Sequence, residues 1–381
     1  MLFLGVGAVL VAALSVRLAL EVHRLLFEPG GPIDLLMLHN LIRQWFAGVP
    51  FYEDRGGIHP PGVFLLLWPL YGWGSETTTR WAYALAAGIA VAGLGRLLLR
   101  ETGSAGPWGR GLLAILLVGS YPAAVTIGNG QITFFMLLAA LAGVLVCLRQ
   151  PPGIRRDALL AGLFLAALIK PNLTLPFFWV IAFTRGWVRP AALAIGGYLL
   201  ATVASVALHG VTLADLPAMV AAWYQRSDYG LARTGYGNVH AWLGALGLQA
   251  WILPASGLIF ALHGVWAWRH RGSDLWVLLG VAAIVARIWG YHRVYDDLLL
   301  LFPLIALLRL AHGEPRSGGA WVLFLLGAAA LAAPVTPILA HAPWLLVAVW
   351  LLQLGYLMGR ARSGAVALGG PATGGARPIS A

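Results

Sequence analysis

Apolar runs long enough to cross a bilayer follow one another along almost the whole of this 381-residue chain, separated by short polar connections. In hydrocarbon every backbone N–H and C=O must be satisfied within the protein, so runs of this length without strict alternation read as transmembrane helices. They lie near residues 2–20, 78–98, 111–127, 130–148, 157–169, 171–184, 190–208, 251–269, 275–290, 297–310, 319–334 and 343–359, which makes about 12 crossings with both termini on one side. With 60% hydrophobic and 10% charged residues, the chain is too apolar for a soluble globule. The fold class expected is an all-α polytopic membrane protein, a single domain over residues 1–362 followed by a disordered cytoplasmic tail, 363–381.

Charge sets the orientation. In a soluble protein a formal net charge of +11 would suggest nucleic acid, but here the arginines sit in short loops between apolar runs, so no nucleic-acid partner is expected. Arg96, Arg100, Arg110, Arg149, Arg155, Arg156, Arg309 and Arg360 fall on one face, which is then the cytoplasmic face of the inner (plasma) membrane. Most carboxylates fall on the other. Glu101, Asp157, Asp274 and Glu314 are the acidic residues left inside. This arrangement requires residues 60–73 not to cross fully; as a helix they would span only about 20 Å against a hydrocarbon core of about 30 Å, so a re-entrant or short span is expected there. Two amphipathic segments, from Asp34 to Phe46 and from Leu213 to Tyr224, would lie along the outer surface and roof a cavity. The single cysteine, Cys147, excludes an intramolecular disulfide and reads as a small apolar residue.

Twenty-four arginines share the chain with one lysine, and that lysine, Lys170, stands inside an apolar run just before Pro171. A cation so placed is costly, and tends to face a polar cavity and bind an anion; its duller reading is a helix-to-helix turn at the membrane surface. The other unusual polar groups fall on the same outer side: Asp34, His39, the Tyr52–Pro61 stretch, Asn129 and Gln131, Asn172, the Tyr236–His240 stretch and Tyr291–Asp297. Their convergence suggests one site. Carboxylates, imidazoles, amides and cations under an amphipathic roof suit a phosphate-bearing lipid headgroup held beside a hydroxylated acceptor, and the chemistry this permits is glycosyl transfer.

The order of these motifs resembles a known family. Asp34 and its amphipathic helix, Ala47-Gly-Val-Pro-Phe-Tyr52, His59-Pro-Pro61, Gly130-Gln131, Lys170-Pro171 and Tyr291-His-Arg-Val-Tyr295-Asp296 look like glycosyltransferase family 87, over roughly residues 1–310. That resemblance implies a GT-C-type fold and an inverting mannosyltransferase using a polyprenyl-phosphate sugar donor, with a glycolipid or polysaccharide of the cell envelope as acceptor. It also implies that Asp34 is the catalytic base. Thr133, Asn172 and Gly290 depart from the residues usual at those places in the family, which bears on the identity of donor sugar and acceptor rather than on the fold.

Each assignment has a competitor. Asp34, two residues after Pro32, could cap its helix. Lys170, His292, Arg293 and His59 are candidates for the donor phosphate; Gln131, Asn129, Asn172, Tyr295, Asp296, Glu53, Asp54 and His240 are candidates for sugar or acceptor. Asp296 would orient His292 or Arg293, while a snorkelling interfacial cluster is the alternative. No cofactor is required by this chemistry; Glu53 and Asp54 could hold a divalent ion, but no metal cage is visible in the spacing. A transporter or flippase of a lipid-linked sugar is the competing function, though no repeated halves are found.

Overall fold

A computed structural model describes residues 2–49, 59–102, 106–184, 186–231, 237–313, 318–333 and 342–361. Among these every regular element is helical: α1 (Leu2–Phe27), α2 (Ile33–Phe46), α3 (Pro61–Tyr71), α4 (Glu76–Glu101), α5 (Pro107–Gly119), α6 (Tyr121–Asn129), α7 (Thr133–Arg149), α8 (Ile154–Ala167), α9 (Pro171–Ile181), α10 (Val188–His209), α11 (Leu216–Leu231), α12 (Val239–Ala245), α13 (Ile252–Arg269), α14 (Leu275–Trp289), α15 (Leu301–Gly313), α16 (Gly318–Ala332) and α17 (Pro343–Arg360). A seven-residue 3-10 segment, Val294–Leu300, leads into α15. The expected tail, 363–381, lies outside the described residues.

Among the described residues, four stretches are long and apolar enough to cross a membrane: Glu76–Glu101, Pro107–Asn129, Val188–His209 and Gln249–Arg269. The apolar run expected at 2–20 is part of a helix that continues to Phe27 and carries Arg17, Glu21 and Arg24. Several other expected spans are shorter helices. They begin or end where polar segments interrupt the hydrophobic pattern: α7 beginning after left-handed Gly130 and Gln131, α9 starting at Pro171, α14 stopping before the segment 290–293. The stretch 60–73 contains the 11-residue α3, about 16 Å long, so it is the short element the sequence predicts.

Burial explains which helices are apolar all round. α14 packs between α15, α9 and α17, and the side chains from Trp276 to Ile284 are all buried, so both faces of this helix carry large hydrophobics. On α10, by contrast, Leu193, Ile195, Leu199 and Leu200 are exposed, as are Leu253, Leu258, Leu262 and Val265 on α13. Rows of exposed leucine and isoleucine on long helices are a surface suited to lipid.

The ends of the bundle differ chemically. At one end Arg149 grips Glu101 with two hydrogen bonds of 2.6 Å, and Arg309 reaches the Glu101 carbonyl at 2.7 Å and Asp274 at 3.1 Å, joining the ends of α4, α7, α14 and α15. The opposite ends of those same helices carry Glu76, Thr133, Trp289 and Leu301, and the polar segments that form the site gather there. In the last turn of α14 at this site end, fully buried Arg287 pairs with Asp297 and lies over the Trp350 ring at 4.6 Å, tying α14 to the 3-10 segment and to α17. Such a pair fixes register more than it adds stability.

Candidate functional site

The start of α2 is built by its neighbours. The carbonyls at the end of α1 have no helical partners, and Arg80 of α4 supplies them by donating to Leu25 at 3.1 Å and Glu28 at 2.9 Å, while Arg24 donates to the Gly31 carbonyl at 2.9 Å. These bonds anchor the turn from which α2 leaves. On α2, Asp34, Leu35, Leu38, His39, Ile42 and Trp45 are buried, the helical stripe that faces the protein. Pro32 occupies the capping position and no side chain caps the helix, so the alternative role of Asp34 as a cap is not realised. Instead the Asp34 carboxylate, 8% exposed, borders a cavity.

Gly130 closes α6 with φ 75°, and a Cβ there would stand 2.3 Å from the Leu35 Cβ. A glycine therefore lets α2 pack directly on the end of α6. The turn is held by Tyr71, which donates to the Gly130 carbonyl at 3.0 Å, and by Tyr83, which donates to the carbonyls of Gln131 at 2.8 Å and Thr126 at 3.1 Å. Gln131 is thereby presented to the same cavity as Asp34.

Lys170 enters from the other side. α8 ends at Ala167, the chain turns through Leu168 and Ile169, and Pro171 opens α9, leaving Lys170 between two helices. Its ammonium pairs with Asp296, lies 4.8 Å from the centre of the Tyr295 ring, and reaches the Thr133 hydroxyl at 3.5 Å. Asp296 is 1% exposed and is the hub of this cluster. Besides Lys170 it accepts from the Thr133 hydroxyl at 3.1 Å, His292 Nδ1 at 3.3 Å and the Arg293 backbone N–H at 3.2 Å. Burial alone would raise this carboxyl, but Lys170 and the His292 contact outweigh it and hold it well below the usual carboxylate range. His292 itself is lowered, chiefly by burial and against the pull of Asp296.

The cavity enclosed by these elements has a volume of about 800 Å³. Of the residues expected from the sequence, Asp34, His59, Gln131, Lys170, Asn172, His240, Arg293, Tyr295 and Asp296 border it. Two do not reach its wall. His292 is fully buried behind Asp296, because its Nδ1 is spent on that carboxylate; Asn129 sits in the last turn of α6 with its buried Oδ1 lacking a hydrogen-bond partner among the described residues. Glu53 and Asp54 lie outside the described residues. His59 faces the cavity as a neutral ring, its pKa lowered to about 4 by burial first and by Lys170 second. Asn172 uses its amide to hold the Tyr291 carbonyl at 2.6 Å, and Arg293 donates to the Tyr291 hydroxyl at 2.5 Å.

Trp223 of α11, on the segment expected to roof the cavity, borders it as well. Other residues at the wall were not singled out by the sequence: Tyr198 and Leu199 of α10, and Leu168 and Ile195, which also border an adjoining apolar hollow of about 150 Å³ between α7, α8, α9 and α10. An aromatic or aliphatic residue inside an apolar helix carries no local signal of such a role. The cavity thus has a cationic and hydrogen-bonding end, one carboxylate without an ion-pair partner among the described residues, and an apolar side open towards an exposed helix face.

A family model for glycosyltransferase family 87 matches residues 58–312, about two thirds of the chain. The chain belongs to glycosyltransferase family 87. No curated protein and no solved structure shows a significant match. As a member of a glycosyltransferase family it is an enzyme that needs a sugar donor and an acceptor, and the transporter reading falls away. The matched segment holds every residue bordering the cavity except Asp34, Met37, Leu38 and Leu41 of α2.

Proposed function

We propose that this glycosyltransferase moves a sugar, mannose in the first instance, from a polyprenyl phosphate to a hydroxyl of a cell-envelope glycolipid or polysaccharide, on the outer face of the membrane and with inversion. One observation carries the reading: Asp34 and Lys170, brought together from residues 136 positions apart, border a single cavity whose side wall is apolar. A lipid-linked donor has two parts, an anion and a hydrocarbon chain, and the cavity offers a match for each. Lys170 and Arg293 supply positive charge, with Asn172 and the neutral His59 as hydrogen-bonding neighbours; Leu168, Ile195 and Leu199 lead from them towards the exposed surface of α10.

In the proposed step the Asp34 carboxylate takes the proton of the acceptor hydroxyl, whose oxygen attacks the anomeric carbon. The bond from that carbon to the phosphate oxygen breaks, and its electron pair leaves with polyprenyl phosphate, whose growing negative charge Lys170 and Arg293 stabilise. The step as written calls on no cofactor. The outer-face placement rests on the clasp of Arg149, Glu101, Arg309 and Asp274 at the opposite end of the bundle, the arginine-rich end.

The test is transfer by purified enzyme from a polyprenyl phosphate mannose. Removing a general base costs about a hundredfold to ten-thousandfold, so Asp34→Asn should lower kcat by that much while the protein still accumulates in the membrane. Transfer by Asp34→Asn at the wild-type rate would remove the base and with it the proposed mechanism.

A further inference from the structure

His240 is fixed in one role by its hydrogen bonds. It sits in the first turn of α12, whose start is set by Asn238 accepting from the Ala241 N–H at 2.9 Å, and it is 8% exposed at the wall of the large cavity. Its Nε2 lies 2.9 Å from the hydroxyl of Ser256 on α13. That hydroxyl lies 2.7 Å from the Trp289 carbonyl oxygen, an approach that requires a hydrogen between the two oxygens. A serine hydroxyl has one hydrogen, and the carbonyl has none to give. The Ser256 oxygen must therefore accept from His240, which puts the imidazole proton on Nε2 and leaves Nδ1 as a bare acceptor.

Nδ1 is buried and has no hydrogen-bond partner among the described residues. Buried acceptors are normally satisfied, so this one marks a place where a ligand donor belongs. The ring is also kept neutral: burial lowers its pKa to about 4, with nearby His292 adding to the effect. A phosphate or carboxylate oxygen has no proton to offer such an atom and would be repelled by its lone pair. A hydroxyl fits.

The same network says which hydroxyl. Trp289, whose carbonyl orients Ser256, also donates its indole N–H to the Asn172 carbonyl at 2.7 Å, and Asn172 follows Lys170 and Pro171 directly. His240 is thus braced against the cationic end of the cavity, where the sugar next to the donor phosphate would lie. We propose that His240 Nδ1 accepts a hydrogen bond from one hydroxyl of the transferred sugar, so that His240 determines donor specificity and Ser256 is the positioning residue that sets its tautomer. This rests on the reading of the cavity as the site of a sugar–phosphate donor.

The test compares kcat/KM for farnesyl phosphate mannose and each of its monodeoxy analogues, using the full-length enzyme. Wild type should lose about tenfold with one deoxy donor, the one that leaves the buried acceptor unsatisfied, and less with the others. His240→Leu should lose that one preference and keep the rest. Ser256→Ala leaves the imidazole in place but frees its tautomer, so it should weaken the same preference selectively, and Ser256→Thr should restore it. A His240→Leu enzyme ranking the donors as wild type does overturns the assignment and leaves glycosyl transfer standing. If His240→Leu fails to accumulate, unchanged ranking by Ser256→Ala overturns it equally. Wild-type enzyme that turns over none of these donors overturns this inference together with the functional reading.

Discussion

Asp296→Asn is the substitution whose consequences the structure defines most closely. The carboxylate is 1% exposed and receives Lys170, Thr133, His292 and the Arg293 backbone N–H, so the change removes the negative charge opposite a partly buried ammonium. Breaking a buried pair at one partner costs about 3–5 kcal/mol. Lys170 is 15% exposed at the cavity wall and can turn towards water there, so the lower end, about 3 kcal/mol, is expected. Lys170→Met leaves Asp296 with its three other donors and should cost less, about 2 kcal/mol. With the ammonium already gone, Asp296→Asn should add only about 1 kcal/mol, so the two changes should couple by about 2 kcal/mol. The assay is equilibrium unfolding in mixed detergent micelles by titration with dodecyl sulfate, for wild type, both single variants and the double variant. Additivity within about 0.5 kcal/mol would show that the two groups do not depend on each other, and would refute the cluster as described.

Gly130→Ala should destabilise the enzyme by more than about 1 kcal/mol, because alanine at positive φ is strained, and its Cβ, 2.3 Å from that of Leu35, should push α2 away. Since Leu35 adjoins Asp34, kcat should fall by about a hundredfold if the carboxylate shifts by about 1 Å; a full rate would argue against Asp34 acting from this position. Stability should also depend on acid. His59 and His240 have pKa values of about 4 in the folded protein against 6.5 unperturbed, so the unfolded chain takes up their protons first. Their contribution is therefore complete above pH 6.5 and is lost as pH falls towards 4, and melting in detergent should move to lower temperature from pH 7 to pH 5. His240→Leu should make that dependence shallower, and a melting point independent of pH would contradict the assignment of neutral rings.

Much of this site is legible in the sequence because its residues violate the hydrophobic pattern. Lys170, Gln131, His59 and the Tyr291–Asp297 segment are polar interruptions in apolar runs, and the structure brings them to one cavity. What the sequence does not show is who satisfies whom. Lys170 reads as a lone cation, yet Asp296 pairs with it from 126 positions away, with Thr133 completing the contact, and holds it at the cavity wall. Asp296 contacts His292, as the sequence reading expects, but His292 is buried and does not reach the cavity wall as a phosphate ligand would; Ser256, unremarked in an apolar helix, determines the state of His240. Hydropathy likewise marks that a segment is apolar, not whether lipid or protein surrounds it. α10 and α14 both have apolar sequences, but α10 exposes Leu193, Ile195, Leu199 and Leu200 while α14 is buried between helices.

The central claim is that one cavity holds a lipid-linked sugar with its anion against Lys170 and its anomeric carbon towards Asp34. The most direct measurement is a cryo-electron microscopy map of the full-length enzyme bound to a non-transferable phosphonate analogue of farnesyl phosphate mannose. The phosphonate should lie within hydrogen-bonding reach of the Lys170 ammonium or the Arg293 guanidinium, the sugar between Asp34 and His240, and the prenyl chain across Leu168 and Ile195. A phosphonate bound outside this cavity, or a sugar facing away from Asp34 with protein packed between them, would contradict the account.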